Sequence, residues 1–313
     1  MIASAGHGQE TQSEPAIHPS ILIRARQGDT PGTIAQRYLN DAAKGWMIGE
    51  YNRVETTFSG GEAVAVPKAP FRPGGLFPDG YQTVPVLAYT AGAGSPESTQ
   101  WRAIPAFTEQ MQWLKANGFS VVTPAQLIGF MDFTGQLPQR SVLITVDTES
   151  QFFHDLAVPV LTAHGFKATI FIAVDRVGHD GAMTWAQLKQ LQQIGFTIGC
   201  RGRYGRALTR QKKGQSFQNN FKWIEHDLRT AKKEIEQQLG RPCRYLAYPQ
   251  GRSNSLVSAM AAKLGFSAAF SLSPGDTPFF ADRFGIHRTI VDVRTQPGRF
   301  GRLLTTKIAA DLN

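Results

Sequence analysis

The sequence predicts an α/β protein built on a parallel sheet, preceded by a small strand–helix–helix–strand unit. Two observations predict the sheet. The runs VPVLAY, SVLITVD, ATIFIAV, FTIGC, YLAYP and SAAFSL are short, nearly continuous in hydrophobicity and rich in β-branched or aromatic residues. Amphipathic helical patterns separate them. Strands that are apolar on both faces and alternate with helices belong to a sheet covered on both sides. A third observation sets the boundary: residues 67–85 read PKAPFRPGGLFPDGYQTVP, with five prolines and three glycines. Such a stretch disfavours helix and central strand and predicts an extended connector. The expected division is a polar tail over residues 1–20, a small unit over 21–67, a linker over 68–83 and a large unit over 84–313.

The small unit opens with the strand signal ILIRAR, followed by Gly28-Asp29-Thr30. A helical pattern places Ile34, Ala35 and Tyr38 on one face, and a second helix runs near Trp46 to Tyr51, ending at Asn52. The run AVAVP closes it as a strand after Gly60-Gly61. In the large unit, Phe107, Met111 and Leu114 share one helical face. So do Leu188, Leu191 and Ile194, and Ile224, Leu228, Ala231, Ile235 and Leu239. Strands ending in Asp147, Asp175, Arg201 and Tyr248 should bring these residues to one end of the sheet, where parallel α/β folds hold their ligands.

Composition bounds the function classes. The 313 residues are 42% hydrophobic and 18% charged, which excludes a disordered, collagen-like or coiled-coil chain. No apolar run approaches the ~20 residues of a membrane span, and residues 1–20 lack the apolar core of a secretion signal. The formal charge of +9 would attract anionic polymers. A nucleic-acid partner is not indicated, since no recognised binding motif occurs and aromatic interleaving is limited to Tyr204. Two cysteines, Cys200 and Cys243, exclude a disulfide scaffold. They are expected to be free thiols at opposite ends of neighbouring strands.

The words QGDTPGTIAQRY, EYN and GGEAVAVP resemble a LysM domain, a module for glycans that contain N-acetylglucosamine. The resemblance implies a sugar groove between two loops, here Gly28, Asp29, Thr30 and Pro31 on one side and Asn52, Arg53 and the residues to Phe58 on the other. The order VPVLAY, FTEQMQWLKANGFSVVTPAQL, RSVLITVDTES, PVLTAHGFKATIFIAV, TWAQLKQLQQIGFTIGCRG and LAYPQG resembles the polysaccharide deacetylase (NodB-homology) family. That resemblance implies a distorted parallel (β/α) barrel of about seven strands and removal of acetyl groups from N-acetylglucosamine-type sugars with Zn²⁺ or another divalent metal. It also implies a cell-envelope, periplasmic or extracellular setting.

Carried over residue by residue, the family's ligand set is missing. Its T-F-D-D motif reads Thr145-Val146-Asp147-Thr148, keeping the base position as Asp147 and replacing the ligand by Thr148. Its H-x-x-x-H pair reads Arg201 and Gly205, and its early Tyr-His pair reads Tyr89-Thr90. Thr is a poor substitute for a carboxylate, Gly offers no donor, and Arg brings a permanent cation. The expectation is therefore a metal-free glycan-binding pseudoenzyme with no cofactor. Its vestigial base is Asp147. Its sugar contacts would come from Arg201, Arg203, Tyr248, Gln250 and His287, and an anionic glycan would suit the arginines. The competing class is an active divergent de-N-acetylase or other carbohydrate hydrolase that uses Asp147 and Glu149, with His154, His179 or His287 in a relocated metal site. The basic run from Arg206 to Lys213 is expected to be a solvated loop. Arg201 is expected to reach across the mouth and pair with Asp147, or with Glu149 if that side chain turns inward.

Overall fold

A computed structural model describes residues 19–90, 104–210, 214–292 and 294–310. The expected tail (1–18 of it) and Lys212 and Lys213 lie outside the described residues. The chain divides into two compact units, Met1–Phe71 and Arg72–Asn313.

In the small unit, β1 (Ser20–Arg24), α1 (Pro31–Leu39), α2 (Gly45–Asn52) and β2 (Ala63–Pro67) follow the predicted order, and β1 pairs antiparallel with β2 from Ser20↔Pro67 to Arg24↔Ala63. The start of α1 is written in sequence. Thr30 accepts from the Thr33 amide while the Thr33 side chain accepts from the Thr30 amide, and Pro31 takes the first helical position, where its missing N–H costs nothing. A core of Ala25, Ile34, Ala35, Ile48, Phe58, Val64 and Val66 holds the unit. Asn52, at the end of α2, donates to the Ala65 carbonyl and accepts from the Ala65 amide, which ties the helix to β2.

The large unit runs β3 (Leu76–Phe77), β4 (Gly80–Thr90), α3 (Ile104–Ala116), β5 (Ser120–Val121), α4 (Pro124–Met131), β6 (Ser141–Asp147), α5 (Val158–Ala163), β7 (Thr169–Ile172), α6 (Trp185–Gln193), β8 (Thr197–Cys200), α7 (Phe217–Leu239), β9 (Tyr245–Ala247), α8 (Ser255–Lys263), β10 (Ala268–Phe270), β11 (Asp276–Pro278), β12 (Thr289–Ile290), α9 (Pro297–Gly301) and β13 (Lys307–Ala309). Strands β10-β9-β8-β7-β6-β4 lie side by side in that order with parallel pairing. The seam is closed by a parallel bridge between Phe270 and Ile286 and by the parallel pairing of β12 with β4. The result is a curled parallel sheet in the manner of a distorted (β/α) barrel, with all seven residues of β6 buried.

Three sequence expectations need correction here. Strand β4 begins at Gly80 rather than Val84, so the extended connector is shorter than the prolines suggested. Pro85 is accommodated because the ladder to β6 starts one residue later, at Val86↔Leu143. Ile194 leaves the face of Leu188 and Leu191: it follows the last residue of α6 and is 49% exposed. Tyr38 likewise leaves the face of Ile34 and Ala35 and is 37% exposed, whereas Phe107, Met111 and Leu114 on α3 and the five apolar positions of α7 are buried.

Both cysteines are free and buried. They are not at opposite ends of the barrel: Cys243 neighbours Cys200 and, after burial itself, is a cause of the raised pKa of the Cys200 thiol.

Candidate functional site

The carboxyl ends of β6, β7 and β8 build the site. Strand β6 delivers Asp147 to a position where its side chain is only 3% exposed. A bare carboxylate there would be costly, and its partner is Arg288. That guanidinium, 0% exposed, donates from Nη1 to Asp147 Oδ1 at 2.6 Å and from Nη2 to Asp147 Oδ2 at 3.0 Å. Its remaining donors reach the Ser271 carbonyl (2.8 Å) and Thr145 Oγ1 (3.2 Å), and its carbon centre lies 5.4 Å from the Phe171 ring centroid. Both Asp147 oxygens are thus committed as acceptors in a forked, charge-assisted pair.

Two residues on, Glu149 turns inward. Arg201, at the end of β8, donates from Nη2 to both carboxylate oxygens, at 2.8 and 3.0 Å, and the Ala173 amide donates to Oε1. The pairing expected for Arg201 is therefore realised with Glu149, not Asp147. Thr148 is buried and accepts from the Ser150 amide through Oγ1.

The loop after β8 is shaped by Asp227 of α7. Its Oδ2 accepts from the Arg203 amide at 3.0 Å, and burial raises its pKa. Gly202 has φ +75°, and a Cβ there would sit 2.5 Å from that same oxygen, so the close approach requires glycine. Arg203 turns outward and pairs with Asp175 at 3.0 Å, which raises the arginine's pKa.

These placements redraw the predicted sugar contacts. Arg201 and Arg203 both spend their charge on protein carboxylates, so neither offers an unmatched cation to a ligand. Tyr248 is fully buried; its hydroxyl donates to the Phe284 carbonyl at 2.7 Å and lies 3.1 Å from Ser258 Oγ. It packs beneath the mouth and cannot stack on a sugar as placed. Gln250 is exposed in a left-handed turn (φ 58°). His287 is exposed, its ring lying against Gly275, where a Cβ would meet Nδ1 at 2.3 Å. It points away from the Asp147 pocket because strand alternation sends its neighbours Ile286 and Arg288 inward. Of the histidines considered for a relocated metal, His154 is engaged by Asp155 at 2.8 Å, and only His179 comes near Glu149.

Arg288 is the residue that sequence reasoning missed. The signal was present: an arginine in GIHRTIV at the same alternation phase as buried Ile286 can go inward only with an acid waiting for it.

A cavity of about 390 Å³ opens beside this centre, lined by Glu149, Ser150, Phe152, Arg176, His179 and Asp180 together with Gly181 and Ala182. Among the described residues, no group of three or more His, Cys, Asp or Glu side chains is placed to hold a metal ion. The donor chemistry agrees. The positions that would ligate a metal carry a hydroxyl, a guanidinium and no side chain at all, and the two adjacent carboxylates are engaged by arginines. The residues present do not fit a divalent metal.

A curled parallel sheet with polar side chains converging at the carboxyl ends of its strands places the large unit in the α/β class with a barrel-like sheet. Residues 134–269 match the polysaccharide deacetylase family. The chain is 27% identical over 195 residues to the Bacillus subtilis protein YxkH, whose name places it with the polysaccharide deacetylases; the match covers 62% of this chain and 66% of that protein. Among solved structures, the Streptococcus pyogenes deacetylase PplD superposes with a TM-score of 0.62 at 20% identity, covering 71% of this chain and 98% of PplD. The de-N-acetylase from Aggregatibacter actinomycetemcomitans gives 0.61 at 19% identity, covering 71% and 100%. Within the large unit, the stretch that matches the polysaccharide deacetylase model thus sits on a fold shared with solved deacetylases.

Proposed function

We propose that this chain is a carbohydrate-binding protein of the cell envelope whose deacetylase-type domain has exchanged metal-dependent catalysis for glycan recognition. The observation that carries the reading is the Arg201 guanidinium, standing at a family ligand position and locked onto Glu149. A fixed cation there repels a second one, and the water that a metal would acidify has no replacement activator. The small unit would serve as a LysM-type glycan module. Its two loops are joined by the Phe58 amide donating to the Asp29 carbonyl at 2.8 Å, which suits one continuous groove. Within it Asp29, Thr30 and Asn52 hold the loops in shape, while Gly28 and Arg53 are exposed on them. The expected partners are polysaccharides that contain N-acetylglucosamine or carry acidic groups, at an envelope, periplasmic or extracellular location.

The test pairs two measurements on the full chain. Insoluble chitin or peptidoglycan should retain the protein, while acetylated chitooligosaccharides incubated with it and Zn²⁺, Co²⁺ or Mn²⁺ should release no acetate above background. Metal-dependent acetate release that is lost in Asp147→Asn would replace this reading with that of an active de-N-acetylase.

A further inference from the structure

The cavity beside Glu149 has chemistry that neither the buried pairs nor the family comparison uses. It lies between the loop after β6 and the loop after β7, and these loops are fastened to each other. Ser150 bridges to Ala182, the Gln151 amide donates to the Gly181 carbonyl at 2.8 Å, and the Met183 amide donates to the Glu149 carbonyl at 2.7 Å. The second loop is also braced internally by Gly178 to Met183 and Ala182 to His179, each at 2.9 Å. A pocket walled by two cross-linked loops is largely pre-formed, and its volume falls within the range of about 300–1,000 Å³ that holds small ligands.

Its walls differ in what they can still bond. Glu149 is neutralised from within by Arg201 and the Ala173 amide. Arg176, by contrast, is 60% exposed and meets Glu149 only as a loose ion pair, Nε to Oε2 at 3.8 Å, beyond hydrogen-bond reach. The guanidinium therefore keeps its donor fork for a ligand. His179 and Asp180 are exposed beside it, and Phe152, 37% exposed, presents an aromatic ring to the same space. A charged fork, two planar polar side chains and a ring edge or face match a sugar unit: the ring packs on apolar C–H groups, Asp180 and His179 exchange hydrogen bonds with hydroxyls, and the fork selects a carboxylate.

We infer that this cavity binds one uronate-type sugar unit of a polysaccharide, with Arg176 pairing the sugar carboxylate and Phe152, His179 and Asp180 holding the ring. The inference rests on the glycan-binding reading and adds the class of sugar and the residue that selects it. A carboxylate suits the site better than a phosphate. One available guanidinium faces a monoanion evenly, whereas the second charge of a phosphate would oppose Asp180 without a second fixed cation lining the cavity.

Calorimetric titration of the full chain tests this with an oligomer of glucuronate, which contains no amino sugar for the small unit, and with the same oligomer after its carboxyls are reduced. The glucuronate oligomer should bind more tightly. Arg176→Gln should weaken it by about ten- to a hundredfold, the weight of one charge-assisted pair, and weaken the reduced oligomer far less. Asp180→Asn should weaken both oligomers. Equal affinity for the two oligomers, an Arg176→Gln protein that binds glucuronate as before, or stronger Arg176-dependent binding of a phosphorylated oligomer would each overturn the assignment. Retention on chitin or peptidoglycan, measured alongside, separates its failure from failure of the glycan-binding reading.

Discussion

Replacing Arg288 by methionine strips Asp147 of its partner while roughly preserving side-chain volume. The starting pair is about as enclosed as a protein ion pair can be, with side-chain exposures of 0% and 3%. Loss of one member of a buried pair costs about 3–5 kcal/mol, because the remaining charge is stranded without solvent. Here the Ser271 carbonyl and Thr145 hydroxyl also lose a donor, which favours the upper half of that range. For a unit of this size each kcal/mol lowers Tm by roughly 2–4 °C, so Arg288→Met should lower the large unit's transition by about 8–20 °C. Urea denaturation followed by tryptophan fluorescence gives the same loss as a shift in midpoint. The double variant Asp147→Asn/Arg288→Met removes the stranded charge and should recover most of the stability. An Arg288→Met protein less than about 1 kcal/mol below the parent, or a double variant costing the sum of both singles, would refute the claim that this pair is closed and desolvated.

Arg201→Ala should cost less, about 2–3 kcal/mol, because Glu149 keeps the Ala173 amide and Arg176 stands 3.8 Å away; urea midpoints of Arg201→Ala and Arg201→Lys check this, with Lys recovering part of the loss. In the small unit, Asp29 is buried against Arg37, and the bonds from the Arg37 side chain and then the Arg26 amide lower its pKa from 3.8 to about 2. A carboxyl lowered on folding contributes stability above its unfolded pKa and loses it as pH falls, so about 1–2 kcal/mol should vanish between pH 4 and pH 2, after allowance for the partly exposed arginine. Thermal unfolding of the small unit's transition across that window should show the loss in the parent and its absence in Asp29→Asn.

The large-scale order was readable because it is set by local pattern. Apolar runs with intervening helical stripes specify a parallel sheet, and Thr30, Thr123 and Thr184 mark helix starts by capping bonds to residues three positions on. The site was half legible. Strand ends located Asp147 and Arg201, since a strand delivers its last side chain wherever the sheet curls. What could not be read was which charge meets which. The bond between Arg288 and Asp147 spans 141 positions, and closing it depends on the barrel seam rather than on any local signal. The same holds for Tyr248, whose aromatic character alone did not reveal that Phe284 and Ser258 occupy its hydroxyl. The cavity at Arg176 was missed because its walls are loops, whose course is set by bonds such as Ser150 to Ala182 and leaves no periodic trace.

Strand β4 has a consequence for the order of events during synthesis. It is among the first pieces of the large unit to be made, yet its partners include β12 at Thr289–Ile290 and β13 at Lys307–Ala309. Gly80 lies so close to this last strand that a Cβ would meet the Ile308 carbonyl oxygen at 2.0 Å. Until residue 309 has left the ribosome, one flank of β4 stays open, with a row of backbone groups seeking a partner. Arg288 likewise arrives long after Asp147. The nascent large unit therefore waits unsealed through most of its translation, and the small unit, whose strands are complete by Pro67, has time to fold first.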